Sequence, residues 1–254
     1  MKILETLIKG VEKRKIVSVH IGFFTTAVVS KGRRGDLKCG LASTLRADKC
    51  RSGIRGAGKF EGRKVSEIGR FLISGQGPEI SIGMAALNSA LPEYPYQEIN
   101  AEKIILEKAF RKKVAIIGHF PFTDKIRNIA EKLWVFELEP KDNKDLPFDR
   151  ALNILPRVDV VAITAMSLLN GTFSKILSYC HRDSFKILLG PSTPLTPLLF
   201  DFGINAICGV KVFDHKALIK ALSQGSNFRS LPGKKMVALI NKTKKLGENL
   251  GKGR

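Results

Sequence analysis

An α/β fold is predicted: a small α+β domain over residues 1–100, then, over 101–254, a doubly wound sheet of parallel strands. Three observations predict it. Beyond residue 101 short, continuous apolar runs alternate with helix-length segments. Continuous runs belong in a parallel sheet covered on both faces, because alternating strands would leave one face wet. Before residue 91 the order differs, with β-rich runs first and helical spacing after them. Between the two regions lies LPEYPY, residues 91–96, whose two prolines stop any helix.

In chain order, apolar residues at Ile3, Leu4, Leu7, Ile8 and Val11 mark one face of a first helix. The run IVSVHIGFFTTAVVS (16–30) is rich in β-branched and aromatic residues. After the turn-forming KGRRGD it is answered by KCGLASTLR (38–46), and the pair reads as a hairpin. RSGIRGAGKFEGRK (51–64) is a loop by its glycines and cations, while VSEIGRFLIS (65–74) and ISIGMAALNSAL (80–91) have helical spacing. The strand candidates of the second region are VAIIG (114–118), WVFEL (134–138), DVVAIT (159–164), KILLG (186–190) and AICGV (206–210). The accompanying helical segments are IRNIAEKL, TFSKILSYC, PLLFDFG and KALIKALSQG. The closing KKMVALINKTKKLGENLGKGR reads as a short basic helix and a tail. A Rossmann-like topology is the natural outcome.

Charge is the extreme quantity of the composition. Forty-three Lys and Arg against 23 Asp and Glu leave the 254 residues at +20, a field that attracts polyanions. The excess sits in residues 31–38, 46–70 and 229–254. Aromatic residues, which a single-strand binder interleaves with its cations, are scarce there; Phe60 and Phe71 alone make no stacking platform. A solvated basic surface with incidental nucleic-acid affinity is therefore favoured over a dedicated nucleic-acid site, notably for the basic loop 46–64 and the tail 229–254. No run of eighteen apolar residues exists, and the amino terminus is charged and amphipathic, unlike a signal peptide, so a cytoplasmic location without membrane contact is expected. The cysteines, Cys39, Cys50, Cys180 and Cys208, form no C-x-x-C pair.

Ligands of open parallel sheets bind outside the carboxyl ends of the strands. That rule selects the residues just after each apolar run. After the first comes Gly118-His119-Phe120-Pro121-Phe122. His, Phe and Pro stand where glycines would admit a pyrophosphate, so ordinary NAD binding is disfavoured. His119 could exchange a proton with a ligand, or bond neighbouring loop carbonyls instead. Glu137 and Glu139, at the second strand's end, could accept hydrogen bonds from a ribose-like diol, or form a solvated strand end. The third strand closes at Thr164 and delivers Asn170, Gly171 and Thr172, the last a good helix N-cap. The fourth leads into GPSTPLTPLLFDFG. There Thr193-Pro194 and Thr196-Pro197 both resemble a cap followed by a first-turn proline, and Gly203 is a plausible stop. Gly190, Pro191 and Ser192 would then flank a helix amino terminus. Three prolines and three hydroxyls in eight residues is more rigidity than a connection requires.

The segments GFFTTAVVS, GLASTL, IGMAALNSAL, VAIIGHFPF, ELEP, TAMSLLNGTF and LLGPSTPLTPLLFDFGINAICGVKV together resemble a prokaryotic family known as "putative heavy-metal chelation". The resemblance spans nearly the whole chain. It implies an enolase amino-terminal-like first domain, a Rossmann-like second domain and a site in the cleft between them. Carried over by residue, it points to Thr25, Thr26, Asn88, His119, Glu137, Glu139, Asn170, Thr172, Ser192 and Thr193. His119, Glu137 and Asn88 would be the catalytic groups and the others ligand contacts. The basic loop 46–64 and the basic tail depart from the family pattern.

No cofactor is written in the chain. Its four histidines and four cysteines include no H-x-x-x-H spacing, and the adjacent Cys180 and His181 diverge on a helix, making a poor chelate. A site built in space from His119, Glu137 or Glu139 and a first-domain residue stays open. Two functions remain in view: metal or metal-complex handling in the cleft, and enzymatic or binding action on a polar or anionic small molecule. Nucleic-acid binding through the basic segments is a third, and a homodimer is compatible with all of them.

Overall fold

The structure, a computed structural model, describes residues 2–46, 53–140 and 144–241. The chain opens with helix α1, Lys2–Lys9, which buries Ile3 and Leu7. Strands β1 (Lys15–Ile21), β2 (Thr25–Lys31) and β3 (Leu37–Ser43) follow as an antiparallel meander. The sequence suggested one strand where there are two. A fifteen-residue strand would extend roughly 50 Å; instead IVSVHIGFFTTAVVS folds back on itself at Gly22, whose N–H donates to Thr25 O at 2.9 Å. The expected hairpin is thus a three-stranded sheet.

Helices α2 (Val65–Gly69), α3 (Phe71–Ser74) and α4 (Pro78–Asn88) come next. Most of α4 is buried, and it lies directly on the meander. A Cβ at Gly40 of β3 would stand 2.2 Å from both Ala85 O and Ser89 N, so only glycine permits this approach.

The second part begins at α5 (Ala101–Ala109), capped by the Asn100 side chain, which accepts from Lys103 N at 3.0 Å. Then come β4 (Lys113–Ile117), α6 (Thr123–Arg127), β5 (Lys132–Glu137), β6 (Asp145–Pro147), α7 (Ala151–Ile154), β7 (Val160–Thr164), α8 (Met166–Leu169), α9 (Phe173–Tyr179) and β8 (Phe185–Leu189). A 3-10 helix at Pro197–Phe202, β9 (Ala206–Val212), α10 (His215–Ser223) and β10 (Lys234–Ile240) complete it. The sheet order is β10-β9-β8-β7-β4-β5-β6, parallel throughout except for β10. Counting outward from β4, the chain builds β5 and β6 on one side and β7, β8 and β9 on the other. This is a doubly wound sheet with its reversal between β4 and β7, where the following loops part and open a crevice. The predicted α/β class and its five parallel core strands stand.

Several elements differ from expectation. The presumed basic helix at residue 234 is a strand, paired with β9 from Lys234↔Val212 to Ile240↔Ala206. Its lysines suggested a solvated helix, but Val237, Ala238 and Leu239 are buried and close the β9 edge. Residues 242–254 of that segment lie outside those described, as do 47–52 of the basic loop. The helix expected at 126–133 is shorter and earlier, because Lys132 and Leu133 already pair in β5. Strand β6 went unpredicted, as three residues carry no periodicity. Thr196 caps the 3-10 helix, accepting from Leu198 N at 3.4 Å, and Gly203 ends it at φ 85°. Thr193-Pro194 opens no helix. Thr172 stands at the N-cap of α9 but makes no capping bond: its backbone is already helical, φ −83° and ψ −14°, where a capping residue is extended, and its hydroxyl donates to Asn170 Oδ1 at 2.7 Å.

The two sheets are in contact through β3 and β9. Ala27 and Leu41 of the meander pack with Leu218, Leu222 and Leu231, and Ser43 N donates to Ser192 Oγ at 2.8 Å.

Candidate ligand site at the carboxyl edge of the sheet

Where β4, β5 and β7 end, a cavity of about 300 Å³ opens. Gly118, His119, Glu137, Thr164, Asn170 and Thr172 contribute to its wall, over an apolar floor of Ile117, Phe136, Phe148 and Met166. Six residues singled out from the sequence therefore come together at the topological switch point. Gly118 makes the turn possible: its φ is +105°, and a Cβ there would lie 3.0 Å from the Thr164 Cβ. It thereby swings His119 out of the strand and over the crevice.

The His119 side chain is 41% exposed, and its Nδ1 lies 3.8 Å from Oδ1 of Asp145, whose side chain is 2% exposed. Asp145 stands at the start of β6, held in register opposite Val135 of β5. The carboxylate is within ion-pairing reach of the imidazole on its Nδ1 side, and His119 itself lines the cavity. Sequence reasoning missed Asp145 because β6 was not seen. The available signal was an acid immediately ahead of an apolar residue and a proline, near the end of the acidic β5 run.

On the opposite wall the polar groups are largely engaged with one another. Ser167 Oγ donates to Thr164 O at 2.6 Å, Met166 N to Thr164 Oγ1 at 3.3 Å, and Thr172 N to Asn170 Oδ1 at 3.1 Å. These bonds hold the wall in one shape. Gly171, at φ 77° with open space around its α-carbon, serves the turn. Glu139 is exposed beyond the end of β5 and does not line the cavity.

The remaining candidates lie elsewhere. Asn88, Pro191 and Thr193 line a different cavity of about 390 Å³, between β3 and β9. Ser192 is fully buried, its hydroxyl holding Ser43 N. Thr25 and Thr26 are buried in β2. Thr26 Oγ1 bonds Thr44 Oγ1 at 3.0 Å, and Thr44 in turn donates to Gly22 O, so this pair braces the hairpin. Gly190, at φ 127°, ends β8 near Ala165. The single pocket suggested by the sequence is thus two.

A chelating centre needs several convergent donors. Among the described residues no three His, Cys, Asp or Glu side chains gather closely enough to hold an ion. Burial pushes the thiols of Cys39 and Cys208 up to about 12, and that of Cys180 up to about 11, and none of the three joins a cluster of further donors among the described residues. The described side chains therefore do not fit a preformed heavy-metal site. No helix among the described residues is long and apolar enough to cross a membrane.

Comparison with known proteins accords with this architecture. The DUF4213 model matches residues 4–91 and the DUF364 model residues 100–241, both described as "Putative heavy-metal chelation". An uncharacterized protein of Methanocaldococcus jannaschii is 33% identical over 151 residues, 56% of this chain, and the match spans 58% of that relative's length. A DUF364-family protein of unknown function from Desulfitobacterium hafniense superposes with a TM-score of 0.78 at 22% identity, covering 94% of this chain and 97% of that one. Another, from Pyrococcus horikoshii, gives 0.79 at 22% identity, covering 94% and 98%. At that identity the likeness speaks for the fold. With more than half of its length matched by the DUF364 model, the chain belongs to the DUF364 family.

Proposed function

We propose that the protein binds a small polar molecule in the carboxyl-edge cavity, with Glu137 as hydrogen-bond acceptor and His119, paired with Asp145, as the group that gives or takes a proton. The observation that carries this reading is the buried Asp145 carboxylate 3.8 Å from His119 Nδ1 at the switch point of the sheet. A buried carboxylate so placed can orient the imidazole ring over the cavity. The cavity volume of about 300 Å³ suits a ligand of modest size. A bulky His-Phe-Pro turn in place of a glycine-rich one argues against a dinucleotide. Native mass spectrometry of the protein purified without a histidine tag tests the proposal. A copurifying organic ligand, lost in His119→Ala and in Glu137→Gln, is the expected result; retention in both variants would sink it.

A second reading takes the description of the family models at its word. Since the described side chains do not supply three donors, the metal in this reading arrives as a complex whose organic ligand furnishes most of the coordination, and the protein recognises that complex in the same cavity. Elemental analysis separates the two readings. Stoichiometric metal that disappears together with the organic ligand in His119→Ala supports the complex, whereas a metal-free protein holding an organic ligand supports the first reading.

A further inference from the structure

The opposite, amino edge of the large sheet holds a cavity of about 570 Å³ that shares no lining residue with the carboxyl-edge cavity and takes none from the meander or α4. Asp159 and Asn205, one residue ahead of β7 and β9, and Phe185, the first residue of β8, stand on its wall with Lys108, Lys112 and His181. Asn205 is only 6% exposed. Its Oδ1 accepts from Lys186 N at 2.8 Å, and since a backbone N–H can only donate, the oxygen end of the amide is the one fixed there. The Nδ2 end, with two protons to give, has no partner among the described residues. It is not one of the fully enclosed atoms either, so the side left open to it is the cavity.

The wall around it is rigid. Lys186, 4% exposed, turns its ammonium onto three carbonyls, those of His181 at 2.8 Å, Arg182 at 3.2 Å and Ser184 at 3.0 Å, and so fixes the turn that leads into β8. A side-chain amide that is nearly buried, held at one end and unpaired at the other is unusual, because buried polar groups are as a rule satisfied. We infer that the amino-edge cavity is a binding site for a small monocarboxylate with an apolar body.

The uncommitted groups of the wall are donors, and they select that class. Asn205 Nδ2 can only donate, and Lys112 has no acidic partner among the described residues. His181 Nδ1 accepts from Asp183 N at 3.3 Å, which leaves the proton of the neutral ring on Nε2. The acids nearby are already engaged. Asp159 Oδ2 accepts from Lys113 N at 2.9 Å, Asp183 lies 3.8 Å from Arg182 and 4.0 Å from His181, and Glu107 holds Lys108 at 2.8 Å. A carboxylate offers the acceptors that these donors lack, and the bonds it would accept are charge-assisted. The half-buried Phe185 ring, with Lys108 Nζ 5.6 Å from its centroid, sets an apolar wall beside a cation, which suits an anion carried on an apolar body.

The test titrates the full chain with benzoate, and with benzyl alcohol as the uncharged control of the same frame, followed by proton–nitrogen correlation NMR. Benzoate should bind at millimolar concentration and the control about tenfold more weakly. The side-chain NH2 of Asn205 and the amides of Ser184 and Phe185 should shift, while that of Gly118 stays. Asn205→Asp keeps an oxygen for Lys186 N and replaces the donor by a negative oxygen; it should retain the Tm and weaken benzoate about tenfold or more. Lys112→Gln should weaken it about threefold, whereas Lys220→Gln, the same change of charge on the exposed side of α10, should leave it unchanged. That pair carries the test if Asn205→Asp does not fold. No binding of benzoate, equal binding of benzyl alcohol, undiminished binding in a folded Asn205→Asp, or equal weakening in Lys112→Gln and Lys220→Gln overturns the inference. So does loss of binding in His119→Ala, which would put benzoate in the carboxyl-edge cavity; unchanged binding there supports a separate site.

Discussion

Individual side chains divide into those that hold the fold and those poised toward a ligand, and substitution separates them. His119 is largely solvent-facing, with one long contact to Asp145, so His119→Ala should change stability by no more than about 0.5 kcal/mol while ligand retention is lost; thermal denaturation beside native mass spectrometry checks both. Gly40 is the opposite case. A methyl group 2.2 Å from Ala85 O and Ser89 N forces β3 off α4, and Gly40→Ala should cost about 3 kcal/mol or more in urea denaturation. The buried thiols give a pH signature. Folded values near 12 for Cys39 and Cys208, and near 11 for Cys180, lie above the ordinary thiol value. The folded state therefore holds these protons more tightly than the unfolded chain does. Their contribution to stability is complete below pH about 8.5 and declines as pH rises toward 12. Tm should fall across that window, and at pH 8 iodoacetamide should label these three cysteines far more slowly in the native protein than in urea, as peptide mass spectrometry would read. Sequence reading reached His119, Glu137, Thr164, Asn170 and Thr172 through one rule about strand ends. It did not reach Asp145, whose position depends on a three-residue pairing invisible in any hydrophobic pattern.

Secondary-structure elements were legible where the apolar run was long and buried on both sides, as in β4, β7, β8 and β9. They were misjudged where pairing partners decided the outcome. The run from Ile16 to Ser30 has the composition of one strand, but a glycine and the chance to pair with itself make two. The segment from Lys234 has the lysines of a solvated helix, yet β9 would otherwise present an open edge, and KKMVALI fills it. The linker joins in: Gln97 and Ala238 exchange both backbone hydrogen bonds at 2.9 Å. Ala238 N is thus committed to Gln97, and Ala238→Pro should cost on the order of 3 kcal/mol by deleting that donor from a buried strand. In hydrogen exchange the amides of Met236 to Ile240 should be as protected as those of β8. Rapid exchange there, with a tolerated proline, would restore the helical tail.

For the molecule as a whole, two properties should act independently, the proposed site at the carboxyl edge of the sheet and a charge of +20 whose excess is concentrated in residues 31–38, 46–70 and 229–254. The site draws on strand ends; the charge draws on the excess of lysines and arginines over acids. Parts of the basic sequence, residues 47–52 and 242–254, fall outside the described residues, and they belong to this second property by composition alone. The two can be told apart by salt. Contacts between cations and phosphates release counterions, so affinity for a polyanion falls steeply as salt rises, by about 100-fold or more between roughly 50 and 200 mM when several phosphates are engaged. Binding of a neutral ligand in a cavity has no such term. A fluorescent mixed-sequence DNA duplex should therefore bind the full chain weakly and with that salt dependence, and His119→Ala and Glu137→Gln should both bind it as the wild type does. If instead DNA binding proved insensitive to salt, or vanished in a cavity variant, the basic segments would be serving the site and the separation of charge from site would be wrong.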